Sequence, residues 1–454
     1  MSTTAKATAS IAALTLAAAC VERQPMRLDP DQSRVETIVI PKFSPPELDL
    51  LIVVDDSPSM ADERAALAAN ARQFVSVLEN IDGGLPSLHL GVITTDLGGD
   101  GPGCAGRGDA GLLQRAEACG VDGTFVRIDG VGGRNNLSRD LAGTVACMVD
   151  VGTDGCEIEQ PLAALDAALT DDTRNVGFVR PEAQLFVLFI TDDDDCSVAD
   201  PAWWSHLPAG ARDRADDFAC FADGVVCAEG GDPAAPGPRT GCRPAADGSL
   251  RGHQAIARLA DRLMGLKSRP LDVMVAVISG DAGPIEVGKA TDADGRGRPA
   301  LQPSCSYRAA LDRSRSGPQT ARPAVRLQAF ADLFPNRSTV TSLCDNDLSD
   351  ALVQLADLLA VNLGNPCIQG VPVDADEARS GTQPSCQLSW FVDYRGPDQV
   401  ETPLAPCSAV SGLPCWRAID DPNCTDYPSG ISVEVVTDQP WPRRSTVVAQ
   451  CLVE

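Results

Sequence analysis

The chain has 454 residues, of which 63 are acidic and 37 are lysine or arginine, so its formal net charge is −26. This excess of negative charge argues against binding to nucleic acid and against electrostatic attachment to anionic membranes. The length is sufficient for one large domain followed by a smaller one.

The first 20 residues resemble a bacterial lipoprotein signal peptide. A short start with one lysine precedes an apolar segment, residues 7–19, that is too short to cross a bilayer. The segment ends in Leu-Ala-Ala-Ala-Cys, and the resemblance implies that Cys20 becomes a lipid-modified N-terminus. We therefore expect a cell-envelope lipoprotein, at the outer membrane or the cell surface. Ordinary signal cleavage, giving a periplasmic or secreted protein, is the alternative. Residues 21–46 are predicted to form a flexible tether.

Apolar patterns over residues 47–362 predict an α/β fold with a doubly wound, mostly parallel sheet flanked by helices. Strands appear as nearly continuous apolar runs, as buried parallel strands require, and helices appear as apolar stripes. The predicted strands are residues 48–55, 88–94, 124–128, 185–191, 271–279 and 338–343. The predicted helices are residues 61–80, 137–149, 161–169, 254–266, 325–333 and 348–362.

Three long insertions, residues 98–123, 196–252 and 280–323, interrupt this alternation and are rich in Gly, Pro and Asp. Loops of this length are usually functional or disordered, and their cysteines favour order. Trp203 and Trp204 in the second insertion have two interpretations. Either they contact a partner, as aromatic residues often do, or they anchor the loop to its own domain.

The 17 cysteines favour export to an oxidising compartment. Without Cys20 there are 16, with no CxxC pair and only three histidines in the chain, so disulfides are favoured over zinc. Ten lie in residues 104–344 and six in residues 367–451. These even counts predict that no disulfide joins the two groups. Residues 363–454 are therefore predicted to form a small β-rich domain with three disulfides.

Within the first group, Cys104 with Cys119 and Cys147 with Cys156 are candidate local pairs. Spacing alone does not determine the connectivity.

Three segments of the first domain carry oxygen-bearing side chains. Asp55, Ser57 and Ser59 form a DxSxS pattern after the first strand, Thr153 lies in a Gly-Thr-Asp-Gly loop, and Asp192 follows the strand 185–191. Sheets of this class bind ligands at the carboxyl ends of their parallel strands. Carboxylates, hydroxyls and water are the ligands that Mg²⁺ prefers. The sequence therefore predicts a divalent-cation site at this edge.

The order and content of these segments resemble the metal-ion-dependent adhesion site of von Willebrand factor type A (VWA) domains. The resemblance implies that Ser57, Ser59 and Thr153 bind the cation directly and that Asp55 and Asp192 act largely through water. The cation would be Mg²⁺ or another divalent ion such as Ca²⁺ or Mn²⁺. In the family, the bound cation then takes an acidic side chain of a protein partner as its last ligand.

Each segment also has a structural interpretation. Ser59 and Asp62 fit a helix-capping pattern, Gly-Thr-Asp-Gly is typical of a turn, and a run of four aspartates is typical of solvated loops. The resemblance covers residues 47–362. It departs from the family pattern at Pro58 and Asp193, where glycine is usual.

We do not expect an enzyme. Residues 283–289 nearly match a P-loop, but Ala290 replaces the required Ser or Thr, and no GxSxG motif is present. The prediction is an envelope protein that binds a protein partner through a cation. The alternatives are a disulfide-hardened envelope scaffold with a vestigial metal site and, less favoured, a metal-assisted hydrolase.

Overall fold

The structure is a computed structural model that describes most of the chain from Arg34 onward. The described residues are 34–40, 47–81, 84–100, 104, 106–130, 132–170, 173–200, 202–206, 217–268, 270–291, 295, 297–307, 319–335, 337–344, 351, 354–355, 358–359, 367–376, 378–392, 399–421, 424, 427–437 and 445–454. The predicted signal peptide and Cys20 lie outside them.

The described part of the chain contains both strands and α-helices. The strands are β1 (Arg34–Ile40), β2 (Glu47–Val54), β3 (Ser87–Thr94), β4 (Val126–Asp129), β5 (Gln184–Ile190), β6 (Val225–Val226), β7 (Gly237–Arg239), β8 (Arg243–Pro244), β9 (Val273–Ser279), β10 (Ile285–Thr291), β11 (Gly297–Leu301), β12 (Cys305–Tyr307), β13 (Gln319–Ala321), β14 (Ser338–Ser342), β15 (Cys386–Val392), β16 (Val400–Leu404), β17 (Cys415–Asp420), β18 (Ile431–Val436) and β19 (Ser445–Val453). The helices are α1 (Ala61–Glu79), α2 (Leu141–Met148), α3 (Pro161–Thr170), α4 (Trp203–His206), α5 (Asp217–Gly224), α6 (His253–Gly265) and α7 (Val325–Ala331).

The central sheet has six strands in the order β14-β9-β5-β2-β3-β4. All neighbours are parallel except β4, which pairs antiparallel with β3 at one edge. β2 lies between β5 and β3, so the chain winds outward in both directions from the middle of the sheet. The prediction of a doubly wound, mostly parallel α/β sheet is confirmed.

Alternate residues of β2 pack on opposite faces of the sheet, because successive side chains of a strand point to opposite sides. Leu50 and Ile52 pack in the core that holds α1 and α2. Leu51 and Val53 pack in a second core with α3, α6 and α7. All four are at most 1% exposed. Burial of such side chains contributes about 1.5–3 kcal/mol each, so the fold is stabilised on both faces.

The second domain is an antiparallel sheet, β1-β19-β15-β16, beside the hairpin β17-β18. Its core includes Trp390, Trp416, Val433 and Val447. One strand was not expected: β1 lies in the predicted tether and pairs with β19 along its whole length. The tether prediction is therefore wrong for residues 34–40. Ile38 and Ile40, two positions apart on β1, point to the same face of the strand and enter this core.

All 16 predicted cysteines form disulfides. The pairs are Cys104–Cys156, Cys119–Cys147, Cys196–Cys220, Cys227–Cys242, Cys305–Cys344, Cys367–Cys424, Cys386–Cys451 and Cys407–Cys415. None joins the two groups, which confirms the prediction from even counts. The expected pairs Cys104 with Cys119 and Cys147 with Cys156 are wrong, because Cys104 is bonded to Cys156 and Cys119 to Cys147.

The tryptophans of the second insertion are buried. Trp203 and Trp204 are 2% and 6% exposed. They pack with the Cys104–Cys156 and Cys196 sulfurs, and Trp203 Nε1 donates to Asp223 Oδ2 over 2.7 Å. They anchor the insertion to its own domain, and the partner-contact interpretation is wrong.

Residues 283–289, the near match to a P-loop, lie largely in β10. That strand pairs antiparallel with β11 and β7. In the part of the chain that the structure describes, no helix has the length and apolar character needed to cross a membrane.

Candidate metal centre

The DxSxS segment leaves the carboxyl end of β2, in the middle of the sheet. Asp55 is fully buried and is held by three bonds. Its backbone N donates to Ile190 O (3.0 Å), its Oδ1 accepts from Ser57 N (2.8 Å) and its Oδ2 accepts from Thr191 Oγ1 (2.7 Å). Asp55 therefore fixes both the turn that carries the serines and the neighbouring end of β5.

A chain of contacts joins the serines to the second predicted strand end. Ser57 Oγ and Ser59 Oγ lie 2.8 Å apart, and Ser59 Oγ donates to Asp192 Oδ1 over 3.1 Å. The N-cap of α1 is Met60, without a side-chain cap. Ser59 is thus not the helix cap that its spacing also suggested. Four of the five predicted metal-site residues meet at one place.

The loop with the fifth residue, Thr153, lies against the same turn. Gly155 N donates to Asp56 O over 3.0 Å. A side chain at Gly155 has no room, since a Cβ there would lie 2.3 Å from Asp56 Oδ1. Thr153 itself is half-buried. Its hydroxyl forms no hydrogen bond to the other four residues in the described structure. Its role as a ligand stays a prediction.

Three carboxyl groups at this edge are buried without a described basic side chain beside them. They are Asp55, Asp56 and Glu159, which are 0%, 6% and 2% exposed. Glu159 accepts a bond from the Thr95 hydroxyl, while Glu159 Oε1 and Asp56 Oδ1 have no hydrogen-bond partner. No Lys, Arg or His of the described residues pairs with any of the three.

Burial is the largest cause that raises the pKa values of these three carboxyl groups, and repulsion between neighbouring carboxylates is a smaller one. Burial raises the pKa of Asp56 to about 8, with further contributions from Asp96, Asp55 and Asp109. Burial and the Asp55 charge raise the pKa of Glu159 well above its ordinary value, and burial also raises that of Asp55. In the absence of a cation, the edge therefore favours bound protons over full ionisation.

The opposite end of β2 provides a contrast within one strand. Asp49 is also fully buried, but its Oδ1 accepts from Arg180 Nε (2.8 Å) and its Oδ2 from Lys267 Nζ (2.7 Å). The fold thus neutralises a buried aspartate where it has only a structural role. Asp55, about 20 Å further along the chain and just past the end of β2, has no such partner among the residues that the structure describes.

The aspartates that follow Asp192 have separate functions in the fold. Asp194 accepts the Arg326 and Leu327 backbone N–H groups at 2.9–3.1 Å, at the start of α7. Asp195 is buried and pairs with Arg326 Nη2 at 2.7 Å. The solvated-loop interpretation of the run is wrong, because Asp194 and Asp195 hold α7 against the end of β5.

A cavity of about 200 Å³ opens beside the serine hydroxyls. Its lining residues are Ser57, Pro58, Ser59, Glu157, Asp192, Asp193, Thr320 and Arg322. The sequence did not indicate Glu157, Thr320 or Arg322, because the last two belong to an insertion whose path the sequence does not reveal. Glu157 and Glu159 flank the buried Ile158, and this acidic-apolar-acidic pattern was a signal in the sequence that could have identified them as candidate site residues.

The donor chemistry fits a hard divalent cation. Among the described residues, no group of three or more His, Cys, Asp or Glu side chains is arranged to hold a metal. Ser57 and Ser59 supply hydroxyl oxygens next to Asp192. The unpartnered oxygens of Asp56 and Glu159 add negative charge close to this set. Oxygen ligands with residual negative charge suit Mg²⁺, Mn²⁺ or Ca²⁺.

Comparison with protein-family profiles and with curated protein sequences finds no match. Solved structures that are similar include a von Willebrand factor type A protein from Catenulispora acidiphila, with 12% sequence identity and a TM-score of 0.29. The alignment covers 93% of this chain and 62% of that protein. A pilus adhesin of Lactobacillus rhamnosus GG has 10% identity and a TM-score of 0.33, covering 94% and 43%.

The vWF domain of a type V pilus tip protein from Porphyromonas gingivalis has 10% identity and a TM-score of 0.30, covering 71% and 97%. The chain thus spans less than two thirds of the first two structures. Because all three TM-scores are below 0.5, the fold assignment rests on the sheet order and the helix packing described above.

Proposed function

We propose that this protein is an exported binding protein with a VWA-type adhesion site. A divalent cation binds at Ser57, Ser59 and Thr153, with Asp55 and Asp192 holding coordinated water, and it takes an acidic side chain of a protein partner as its last ligand. The residue types and their order along the chain are those of the resemblance stated above.

The observation that carries this proposal is the uncompensated charge at the end of β2. Asp55, Asp56 and Glu159 are buried without a basic partner among the described residues, whereas Asp49 on β2 has two. Buried carboxylates without a partner destabilise a fold, so a bound cation offers the missing compensation. The exposed Ser59 hydroxyl lines a cavity, which gives the cation a route to solvent and to a ligand.

Each residue then has a distinct task. The neutral Ser57 and Ser59 hydroxyls bind the cation without cancelling its charge, so it remains an electrophile toward an anion. Asp55 is held by Thr191 and by Ser57 N, and this fixes the direction in which it accepts a coordinated water. When bound, the cation supplies one open coordination position, and no bond of the partner needs to break.

Eight disulfides support a location in an oxidising compartment. We place the protein in the cell envelope, attached through lipid on Cys20, with a periplasmic or secreted form as the alternative.

The test is calorimetric titration of Mg²⁺ into the wild type and into a Ser57→Ala/Ser59→Ala variant. We expect binding by the wild type and a loss of at least about tenfold in the variant. Ser76→Ala is the control, because Ser76 is an exposed hydroxyl on α1 that bonds only locally, to Gln73 O. Binding of an envelope protein in Mg²⁺ but not in EDTA, by the wild type but not by the double variant, would complete the test.

The scaffold alternative makes the opposite prediction. If the fold is only a disulfide-hardened scaffold, the wild type will not bind Mg²⁺ and EDTA will leave its interactions unchanged. Turnover of a substrate by the metal-loaded protein would instead favour the hydrolase alternative.

A further inference from the structure

The loop that carries Thr153 has few attachments to the rest of the metal centre. Residues 150–154 connect the end of α2 to Gly155, and in the described structure they form one hydrogen bond. Arg64 Nη1 donates it to Asp150 Oδ1 over 3.0 Å. Val151 adds a partly buried contact with the core. The attachment of the loop ahead of Thr153 therefore depends largely on Arg64.

Arg64 lies at the end of the first turn of α1, the helix that begins two residues after Ser59. Charged side chains are rarely buried unless they are paired, and Arg64 is only 6% exposed. Its partner Asp150 lies at the surface, with a side chain that is 64% exposed. Arg64 thus links the helix that follows the serines to the loop that follows α2.

The start of α1 is itself held in place. Glu63, which precedes the arginine, is 3% exposed and accepts a hydrogen bond from the Tyr307 hydroxyl of β12. Leu67, one turn further along α1, packs in the same core as Met148 of α2. Because contacts on two sides fix this turn, the Arg64 guanidinium extends from a rigid base, as a residue that orients a site requires.

Thr153 lies between two fixed points of its loop. Asp150 precedes it by three residues, and Cys156, which follows it by three, is held by its disulfide. Three residues of extended chain span at most about 11 Å, so a shift of either point moves the threonine hydroxyl. Mg²⁺ needs near-octahedral ligands at about 2.1 Å, so a displaced hydroxyl no longer serves as a ligand.

We propose that Arg64 is a positioning residue of the metal centre. By holding Asp150, it fixes the Thr153 loop relative to the serine turn, so that the Thr153 hydroxyl faces the same cation as the two serine hydroxyls. Arg64 itself binds neither the cation nor the partner. This inference rests on the proposed adhesion function and adds the residue that presents its third hydroxyl.

The test is a double-mutant cycle in Mg²⁺ affinity, measured by calorimetric titration of the whole protein. The four proteins are the wild type, Arg64→Gln, Thr153→Ala and the double variant. Arg64→Gln should weaken Mg²⁺ binding by about ten- to a hundredfold, as loss of an orienting partner does. In the Thr153→Ala background the same change should have almost no effect, because the hydroxyl that Arg64 positions is already gone.

Two controls separate position from charge and from stability. Arg134→Gln removes the same charge from an exposed ion pair with Asp129 and should not weaken Mg²⁺ binding. Loss of a positive charge alone favours a bound cation, so a weaker affinity in Arg64→Gln must have another cause. Leu67→Ala leaves a cavity in the core beneath the same helix, so it should unfold in less urea yet bind Mg²⁺ as the wild type does.

Asp150→Ala provides the same test from the exposed side if Arg64→Gln fails to fold. It should lose as much Mg²⁺ affinity as Arg64→Gln, again with almost no further loss in the Thr153→Ala background. Asp150→Asn keeps an acceptor oxygen and should lose less. Asp154→Ala, which changes an exposed aspartate of the same loop, is the control for the lost negative charge.

The outcomes separate this inference from the adhesion function. If the wild type does not bind Mg²⁺, the adhesion function fails and this inference fails with it. If the wild type and Arg64→Gln bind Mg²⁺ equally, only the role of Arg64 is refuted. Losses in Arg64→Gln and Thr153→Ala that multiply in the double variant would refute it too, because Arg64 would then act independently of the threonine hydroxyl.

Discussion

The Ser59 hydroxyl donates to Asp192 Oδ1 over 3.1 Å, although the two residues are 133 positions apart in the chain. Parallel pairing of β2 with β5 places their carboxyl ends side by side, and both residues follow those ends. The pairing of these two strands therefore brings the residues of the candidate metal centre together.

Asp55→Asn should weaken Mg²⁺ binding by about ten- to a hundredfold, because it removes a charge that orients coordinated water and the serine turn. The isosteric amide keeps the shape of the buried site, so the domain should still fold. Calorimetric titration measures the effect. Asp129→Asn, at an exposed end of β4, is the control. Identical Mg²⁺ affinity in the wild type, Asp55→Asn and Asp129→Asn would mean that the DxSxS segment is only a turn.

The contribution of Asp56 to the stability of the metal-free protein should decrease as pH rises from 3.8 to about 8, the range between its ordinary pKa and its raised value. A folded-state pKa above the unfolded one means that folding retains a proton, and this stabilisation is lost as pH rises through the folded pKa. Asp56→Asn removes that part of the dependence. It should be more stable than the wild type at the upper end of the range.

Urea unfolding in EDTA at both ends of this range measures the difference. Subtracting the two proteins isolates Asp56 from the general repulsion of a strongly acidic chain. Parallel stability curves for the wild type and Asp56→Asn would contradict the raised pKa. Added Mg²⁺ should stabilise the wild type most at the upper end, since metal binding displaces protons.

Asp49→Asn should destabilise the fold by about 3–5 kcal/mol and leave Mg²⁺ affinity unchanged. Lys267, whose side chain is fully buried, loses the carboxylate that its Nζ contacts at 2.7 Å, and a buried ion without its partner is costly. Urea unfolding and Mg²⁺ titration of Asp49→Asn and Asp55→Asn should therefore give opposite patterns. A fall in Mg²⁺ affinity on replacing Asp49 would mean that the two ends of β2 are not independent.

Removal of the Cys104–Cys156 disulfide, by alanine at both positions, should reduce stability by about 4 kcal/mol in the chain-entropy account of a loop of 52 residues. It should also weaken Mg²⁺ binding, because Cys156 adjoins Gly155, which packs on Asp56. The matched control removes Cys407–Cys415, with a separation of 8, which should cost about 2.5 kcal/mol and leave the metal site unchanged. Thermal unfolding and Mg²⁺ titration distinguish the two variants.

Cys20 should carry lipid, since it ends the apolar segment and is the cysteine left over from eight disulfides. Mass spectrometry of the mature N-terminus tests this. Cleavage elsewhere, or an unmodified Cys20 within a longer chain, would refute the lipid anchor. Cys20→Ser should then release the protein from the membrane fraction.

The sequence by itself determined the order and type of the main elements, because apolar periodicity reflects which face of each strand or helix is buried. The predicted strand at residues 48–55 is observed at Glu47–Val54, and the predicted helix at residues 254–266 is observed at His253–Gly265. The sequence also predicted that Asp55, Ser57, Ser59 and Asp192 lie in one site, since the carboxyl ends of parallel strands share one edge of the sheet.

Only the tertiary structure decided which distant groups meet. Cys104 pairs with Cys156 and not with Cys119, and β1 completes the second domain from the far end of the chain. Asp49 in β2 and Asp55 just after it look alike in sequence, yet Asp49 has two basic partners and Asp55 has none within the described part of the chain. The physical reason is that periodicity is a local property, whereas ion pairing, disulfide pairing and the position of Arg322 depend on how long insertions fold back over the sheet.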